Sequence, residues 1–289
     1  MANQTVSRTA LGAVSCRLIE QYQPERTRLF NDPLAGALVG STLRALMKIG
    51  AMRNLTVRLT DSYTPGIYGA QICRTRYIDE AVETALKQGI GQLLILGAGY
   101  DSRPYRLSGV DRLRVFELDL PAIQDDKKKK IQSSLGRLPE QVSYVPIDFD
   151  TQNLATVLSG TAFDTGKPAL FIWEGVTQYI SEDAVRQTLA FVGKCAPNSR
   201  LVFTYVLKSV IERRSDIPGA ARMIDVVGKQ SPWLFGLEPG QVATFLKPYH
   251  LSLLEDVGNS YYQEKYLQPL GRKLVVSEIE RIVQAEVGI

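Results

Sequence analysis

The sequence predicts an α/β fold of the doubly wound, Rossmann-like kind: a mainly parallel sheet with helices on both faces and a helical N-terminal extension. Three observations lead there. After Gly89, short continuously apolar runs alternate with stretches of helical period. Before Gly89 the chain reads mostly as helix. The first apolar run, Leu93-Leu94-Ile95-Leu96, leads straight into Gly97-Ala98-Gly99. Strands that are apolar at every position, rather than at every second one, belong to sheets buried on both faces.

The elements follow in order. Arg8 to Tyr22 carries Leu11, Val14, Leu18 and Ile19 at helical spacing. Asn31-Asp32-Pro33 gives a turn or helix start, since proline suits the first helical turn. Leu34 to Met47 continues as helix. Gly66 to Lys87 follows, with Ile78, Val82 and Leu86 on one stripe, and stops at Gln88-Gly89, where glycine supplies a C-terminal cap. Strands are expected at Gln92–Leu96, Arg114–Leu118, Ser143–Pro146, Ala169–Trp173, Arg200–Val206 and Leu251–Val257. A further strand near Ile279 to Val287 makes a seven-stranded sheet. Helices are expected near 120–134, 152–159, 181–195 and 238–247. The stretch Leu207 to Leu237 holds two prolines and Arg213-Arg214 but no strand pattern. It reads as an insertion after the fifth strand, placed to cover the mouth of a site. The chain therefore divides into a helical cap (1–88), a core (89–206), a lid insertion (207–237) and a C-terminal part of the core (238–289), all within one domain.

Composition narrows the class. Hydrophobic residues form 45% of the 289 residues, enough for a sizeable core. No apolar run approaches the length of a membrane span. The first residues lack a basic stretch followed by an apolar run, so no secretory signal is expected. Cys16, Cys73 and Cys195 lie far apart, which argues against a disulfide framework and for a reducing cytoplasm. The single histidine, His250, cannot build a metal site, and no metal is expected. Net charge is +4 without an extended basic stripe, which disfavours nucleic acid. The run Lys127 to Lys130, after Asp125-Asp126, reads as a solvated helix face.

A buried strand entering a glycine-rich turn is the nucleotide-binding arrangement of doubly wound folds. Gly-x-Gly alone also describes a tight turn without a ligand. Val115-Phe116-Glu117-Leu118-Asp119 adds an acidic residue at a strand end, about twenty positions on, from which a carboxylate reaches ribose hydroxyls. A dinucleotide loop needs a third glycine, and Ser102 stands there instead. No lysine follows for a P-loop, and Asp101 suits a pyrophosphate poorly. A cofactor with ribose, adenine and a cationic centre but no phosphate fits better, and S-adenosylmethionine (SAM) has that description.

Several strings then carry a resemblance. Ile95-Leu96-Gly97-Ala98-Gly99-Tyr100-Asp101-Ser102-Arg103, Arg74-Thr75-Arg76, Phe116-Glu117-Leu118-Asp119-Leu120-Pro121 and Trp173-Glu174-Gly175-Val176-Thr177-Gln178-Tyr179-Ile180 resemble the leucine carboxyl methyltransferase family. Ser7-Arg8-Thr9-Ala10 and Asp32-Pro33-Leu34-Ala35 resemble its bacterial branch, which includes polyketide-tailoring O-methyltransferases. The resemblance implies a SAM-dependent methyltransferase fold. It implies that Arg74 holds the methionine carboxylate of SAM and Glu174 its ammonium. Gly97, Ala98, Gly99 and Asp101 form the cofactor loop, with Arg76 a weaker candidate than Arg74. Asp119 takes the ribose hydroxyls, and Asp148 with Phe149 frames the adenine. Asp150 reads as the N-cap of the following helix. Tyr179 borders the acceptor pocket and, with Glu174, is a positioning candidate. The expected reaction is O-methylation of a small-molecule acceptor, with a carboxylate favoured over a phenol. A protein- or RNA-directed carboxyl methyltransferase and a non-catalytic SAM-binding module are the alternatives.

Overall fold

In the computed structural model, residues 2–228 and 232–288 are described. The insertion 207–237 is thus covered except for residues 229–231. The strands are β1 (Gln92–Leu96), β2 (Arg114–Asp119), β3 (Val142–Pro146), β4 (Ala169–Trp173), β5 (Arg200–Val206), β6 (Leu251–Val257) and β7 (Glu280–Val287). They form one seven-stranded sheet in the order β3-β2-β1-β4-β5-β7-β6. The first five run parallel. β7 inserts antiparallel between β5 and β6.

Every residue of β1 and β4 is buried, because helices cover both faces. Period-two alternation divides their side chains between two cores. Leu93 and Ile95 join Val14, Leu18, Ile72, Ile78 and Val82 from the helices Ala2–Gln21 and Ile67–Lys87. Leu94 and Leu96 join Val185, Leu189, Val242 and Leu246 on the other face. Strand order reverses between β1 and β4, so a crevice opens beyond their carboxyl ends, where ligands bind in open α/β sheets.

The helices at 121–135, 154–159 and 182–192 lie close to expectation. The helix Ile67–Lys87 ends as expected: Gly89 has φ +77° and Ile90 N–H donates back to Ala85 O at 3.0 Å. Three expectations fail. Leu34 to Met47 is not one helix but two, Ala35–Leu38 and Ser41–Met47, parted at Gly40 with φ +92°. A helix at Gly50–Tyr63 was not expected, and it buries no residue, so it has no clean apolar stripe to read. The lysine run is not a solvated face throughout. Lys127 is only 1% exposed, because it shares the inner side of the helix Pro121–Leu135 with Ile123, Gln124 and Ile131. Its Nζ lies 2.8 Å from Glu117 Oε2. Lys128 and Lys130 keep surface partners, Asp125 and Asp126.

The insertion leaves and rejoins the core at one place. Lys208 N–H donates to Leu237 O and Leu237 N–H to Val206 O. Among the described residues, no helix is long and apolar enough to cross a membrane.

Candidate functional site

At Gly97 the glycine loop leaves no room for a side chain. Gly97 has φ +69°, and a Cβ there would stand 2.3 Å from Val176 Cγ2. Gly97 and Ala98 N–H both donate to Leu118 O, curling the loop over the end of β2. Gly99 N–H donates to Asp119 Oδ2 at 2.5 Å, and Leu120 N–H to Oδ1 at 2.7 Å. Burial pushes the Asp119 carboxyl above its ordinary value, against the pull of these two amides. Each oxygen keeps a lone pair for a further donor.

Beside the loop lies a network of buried charges. Arg74 donates from Nε to Glu174 Oε1 at 2.7 Å and from Nη1 to Glu280 at 2.6 and 2.8 Å. Its Nη2 donates to no described residue. Arg103 is fully buried. It donates to Asp79 Oδ1 at 2.8 Å, Asp101 Oδ2 at 2.6 Å and Glu174 Oε2 at 2.7 Å. Burial pushes Glu174 upward, but the Arg103 and Arg74 guanidiniums outweigh it and hold the carboxyl at about 2. Asp101 is likewise lowered, burial being overcome by Arg103. Asp101 borders the cavity yet turns both oxygens to Arg103, accepting also from its backbone N–H. Arg17, from the N-terminal helix, donates to Tyr100 O at 2.5 Å and pairs with Asp32 at 3.3 Å, tying that helix to the loop.

Past β3, Asp148 Oδ1 accepts from Asp150 N–H, and the Phe149 ring sits 6.5 Å from that of Trp173. Asp150 is not the N-cap. Asn153 takes that role, accepting from Thr156 N–H, and the helix starts at Leu154. Thr151 and Gln152 N–H close turns on Asp148 O before the helix begins, and Asp150 Oδ1 accepts from Ser181 N–H instead.

One cavity of about 690 Å³ gathers these groups. Arg74, Gly97, Ala98, Gly99, Asp101, Asp119, Asp148, Phe149, Glu174 and Tyr179 all line it. Its farther walls come from the helix Gly50–Tyr63, through Thr56, Val57 and Thr60, and from the insertion, through Met223 and Trp233. Arg76 is not brought in; it pairs with Glu80 at 3.0 Å and lies off the cavity. His250 is also elsewhere, at the start of β6. Sequence reasoning missed Arg17, Arg103 and Glu280. Arg103 had a signal, an arginine directly after the glycine loop. Glu280 had a weaker one, a carboxylate at the first position of the last strand.

Comparisons with known proteins place the chain in a family and a fold. The family model described as leucine carboxyl methyltransferase matches residues 10–193. A Streptomyces coelicolor protein assigned as an S-adenosyl-L-methionine-dependent methyltransferase is 29% identical over 221 residues, 74% of each chain. A Mycolicibacterium paratuberculosis protein with the same assignment is 31% identical over 208 residues, 68% of this chain and 64% of that one. The match thus spans just under two thirds of the mycobacterial relative's length. A Thermobifida fusca crystal structure assigned as a methyltransferase shares the fold. Its TM-score is 0.59 at 15% identity, covering 89% of this chain and 93% of that one. The chain belongs to the leucine carboxyl methyltransferase family of SAM-dependent methyltransferases.

Proposed function

We propose that the protein transfers the methyl group of SAM to an oxygen of a small-molecule acceptor, with a carboxylate the favoured nucleophile. The observation that carries this reading is a single cavity bordered by partners for every part of the cofactor and walled beyond them by apolar side chains. The fit is chemical. Arg74 Nη2 retains donors for a carboxylate. Glu174, ionised and holding spare lone pairs, suits an ammonium. Gly97, Ala98 and Gly99 admit close approach along the methionine portion. Asp119 suits a ribose diol, while Asp148 and the Phe149 ring suit the amine and face of adenine. Asp101 acts indirectly, by holding Arg103 against Glu174.

Bound SAM supplies an electrophilic methyl group on a sulfonium. The chain's own contribution is alignment and exclusion of water, and alignment alone contributes up to ~10 kcal/mol. The side chains on the cavity favour an acceptor that is already ionised. A carboxylate meets that condition near neutral pH, whereas a phenol needs a base. Glu174, held at about 2, is a poor base. Tyr68 and Tyr262 are pushed up by burial and stay protonated. His250 is not on the cavity. The N-terminal helices and the 207–237 insertion act as cap and lid, and a metabolite of polyketide type is a suitable occupant.

The test is incubation with methyl-labelled SAM and a panel of small carboxylic acids and phenols. Label appearing in base-labile esters is expected. Label found only in phenol ethers would reject the carboxylate assignment.

A further inference from the structure

The outward side of the helix Gly50–Tyr63 plays no part in methyl transfer, yet it carries large apolar side chains. Leu55, Leu59 and Tyr63 repeat every four residues and so form one stripe, at 47%, 54% and 63% exposure. None of the three lines the cavity, which takes Thr56, Val57 and Thr60 from the other side of the same helix. Ile49, directly before the helix, is 55% exposed, and Leu46 of the preceding helix Ser41–Met47 is partly exposed as well. An apolar patch of this kind marks contact with another surface.

The charge around the stripe says which kind. Between residues 33 and 60 there is no Asp or Glu, while Arg44, Lys48, Arg53 and Arg58 are present. None of these four pairs with a carboxylate among the described residues. Arg44, Lys48 and Arg58 are exposed. Arg53 donates to Met47 O and Lys48 O at 2.7 and 3.0 Å and lies over the Tyr22 ring, so its charge is not neutralised either. Asp61, the next acid along the chain, accepts from Gly66 N–H. Arg222 of the insertion donates to Ser62 O at 2.9 Å and brings a further cation to the end of the stripe. Elsewhere on the surface the pattern differs: Lys128, Lys130, Arg186 and Lys265 all pair with carboxylates.

We infer that this face docks on an anionic lipid bilayer. Leu55, Leu59 and Tyr63 enter the boundary between headgroups and acyl chains, and the flanking guanidinium and ammonium groups meet lipid phosphates. An interfacial helix needs this combination of an apolar stripe and basic flanks, and it needs no membrane-spanning segment. The long stems of Arg and Lys follow the apolar surface while their heads reach the headgroups. A second copy of the chain fits worse, because a twofold contact sets the same un-neutralised cations against one another. The docking rests on the surface alone and stands whatever acceptor the cavity takes. Since Thr56, Val57 and Thr60 belong to the same helix, docking brings that wall of the cavity to the bilayer.

The test is sedimentation of the whole chain with vesicles, one set of phosphatidylcholine alone and one of phosphatidylcholine mixed equally with phosphatidylglycerol. Binding to the mixed vesicles should be about tenfold tighter or more, given about fivefold for each basic side chain near such a surface. It should fall as salt rises. Leu55→Ser combined with Leu59→Ser should weaken it about tenfold, the worth of roughly two half-buried leucines. Lys48→Gln and Arg58→Gln should each weaken it about fivefold. Circular dichroism and S-adenosylhomocysteine binding should stay unchanged in all of them, since none of these residues lines the cavity. Equal binding to the two kinds of vesicle, binding to neither, or binding that none of the substitutions weakens overturns the inference. So does a lipid-free dimer that the double leucine substitution turns into monomers, which would assign the stripe to a second copy.

Discussion

The two walls of the cavity are built differently. On the cofactor side most charged groups are largely buried and joined in one network. Arg103 bridges Asp79, Asp101 and Glu174, and Arg74 bridges Glu174 and Glu280. On the far side the helix Gly50–Tyr63 buries none of its residues, and Leu55, Leu59 and Tyr63 stand largely exposed. Val226 and Leu234 of the insertion are exposed as well. On the proposed reading the first wall positions a cofactor with a constant set of charges, which requires preorganised donors and acceptors. The second is anchored by few buried side chains, so it opens locally at low cost and is free to vary with the acceptor.

The largest expected effect tests the rigidity of the cofactor wall. Arg103→Met leaves Asp79, Asp101 and Glu174 buried with their shared cation gone. Removing one partner from a buried ion-pair network costs about 3–5 kcal/mol, read as a fall in the urea unfolding midpoint. A loss below about 1 kcal/mol would mean the network is not what holds this wall. Next comes direct contact with the cofactor. Arg74→Ala and Asp119→Ala should each weaken SAM binding by roughly 10- to 100-fold, the range for hydrogen bonds to a charged group, with circular dichroism unchanged. Unchanged affinity in calorimetry would remove those assignments.

The third prediction concerns pH. The folded Glu174 carboxyl sits at about 2, below its ordinary value of 4.5. Its ionised form therefore stabilises the fold above pH 4.5, and that stabilisation is lost as pH falls towards 2. Glu174→Gln should flatten the decline of Tm between those limits. An identical slope in the two proteins would show that Glu174 is not ionised in the folded state. The smallest effect is local. Trypsin should cut first after the exposed Arg213 or Arg214, and SAM with a bound acceptor should slow that cut several-fold by closing the insertion. Equal rates with and without ligands would remove the lid role.

Much of the cofactor side is legible in the sequence, and the far side much less so. Leu93 to Leu96 and Ala169 to Trp173 read as buried strands because burial on both faces leaves no polar position. Gly97, Gly99 and Asp119 stand out because a tight loop and a strand end have strict local requirements. Gly50–Tyr63 escaped notice because a helix without a buried face shows no stripe. Lys127 was misread because four lysines in a row look solvated, and only helix phase against Glu117 turns one of them inward. Asp150 was misread because its residue type suits a cap equally well two or three positions too early.

The order of strands and helices after Gly89 and the position of the glycine turn that ends the first strand were determined by the sequence alone. Those features rest on periodicity, glycine and short spacings, all local properties. Tertiary structure decided which charges meet. Arg103 finds Asp79 from 24 residues before it and Glu174 from 71 residues after it, and Arg74 finds Glu280 from 206 residues away. A surface arginine and a buried one are spelled alike. Only the packing that removes water from both partners selects the pair.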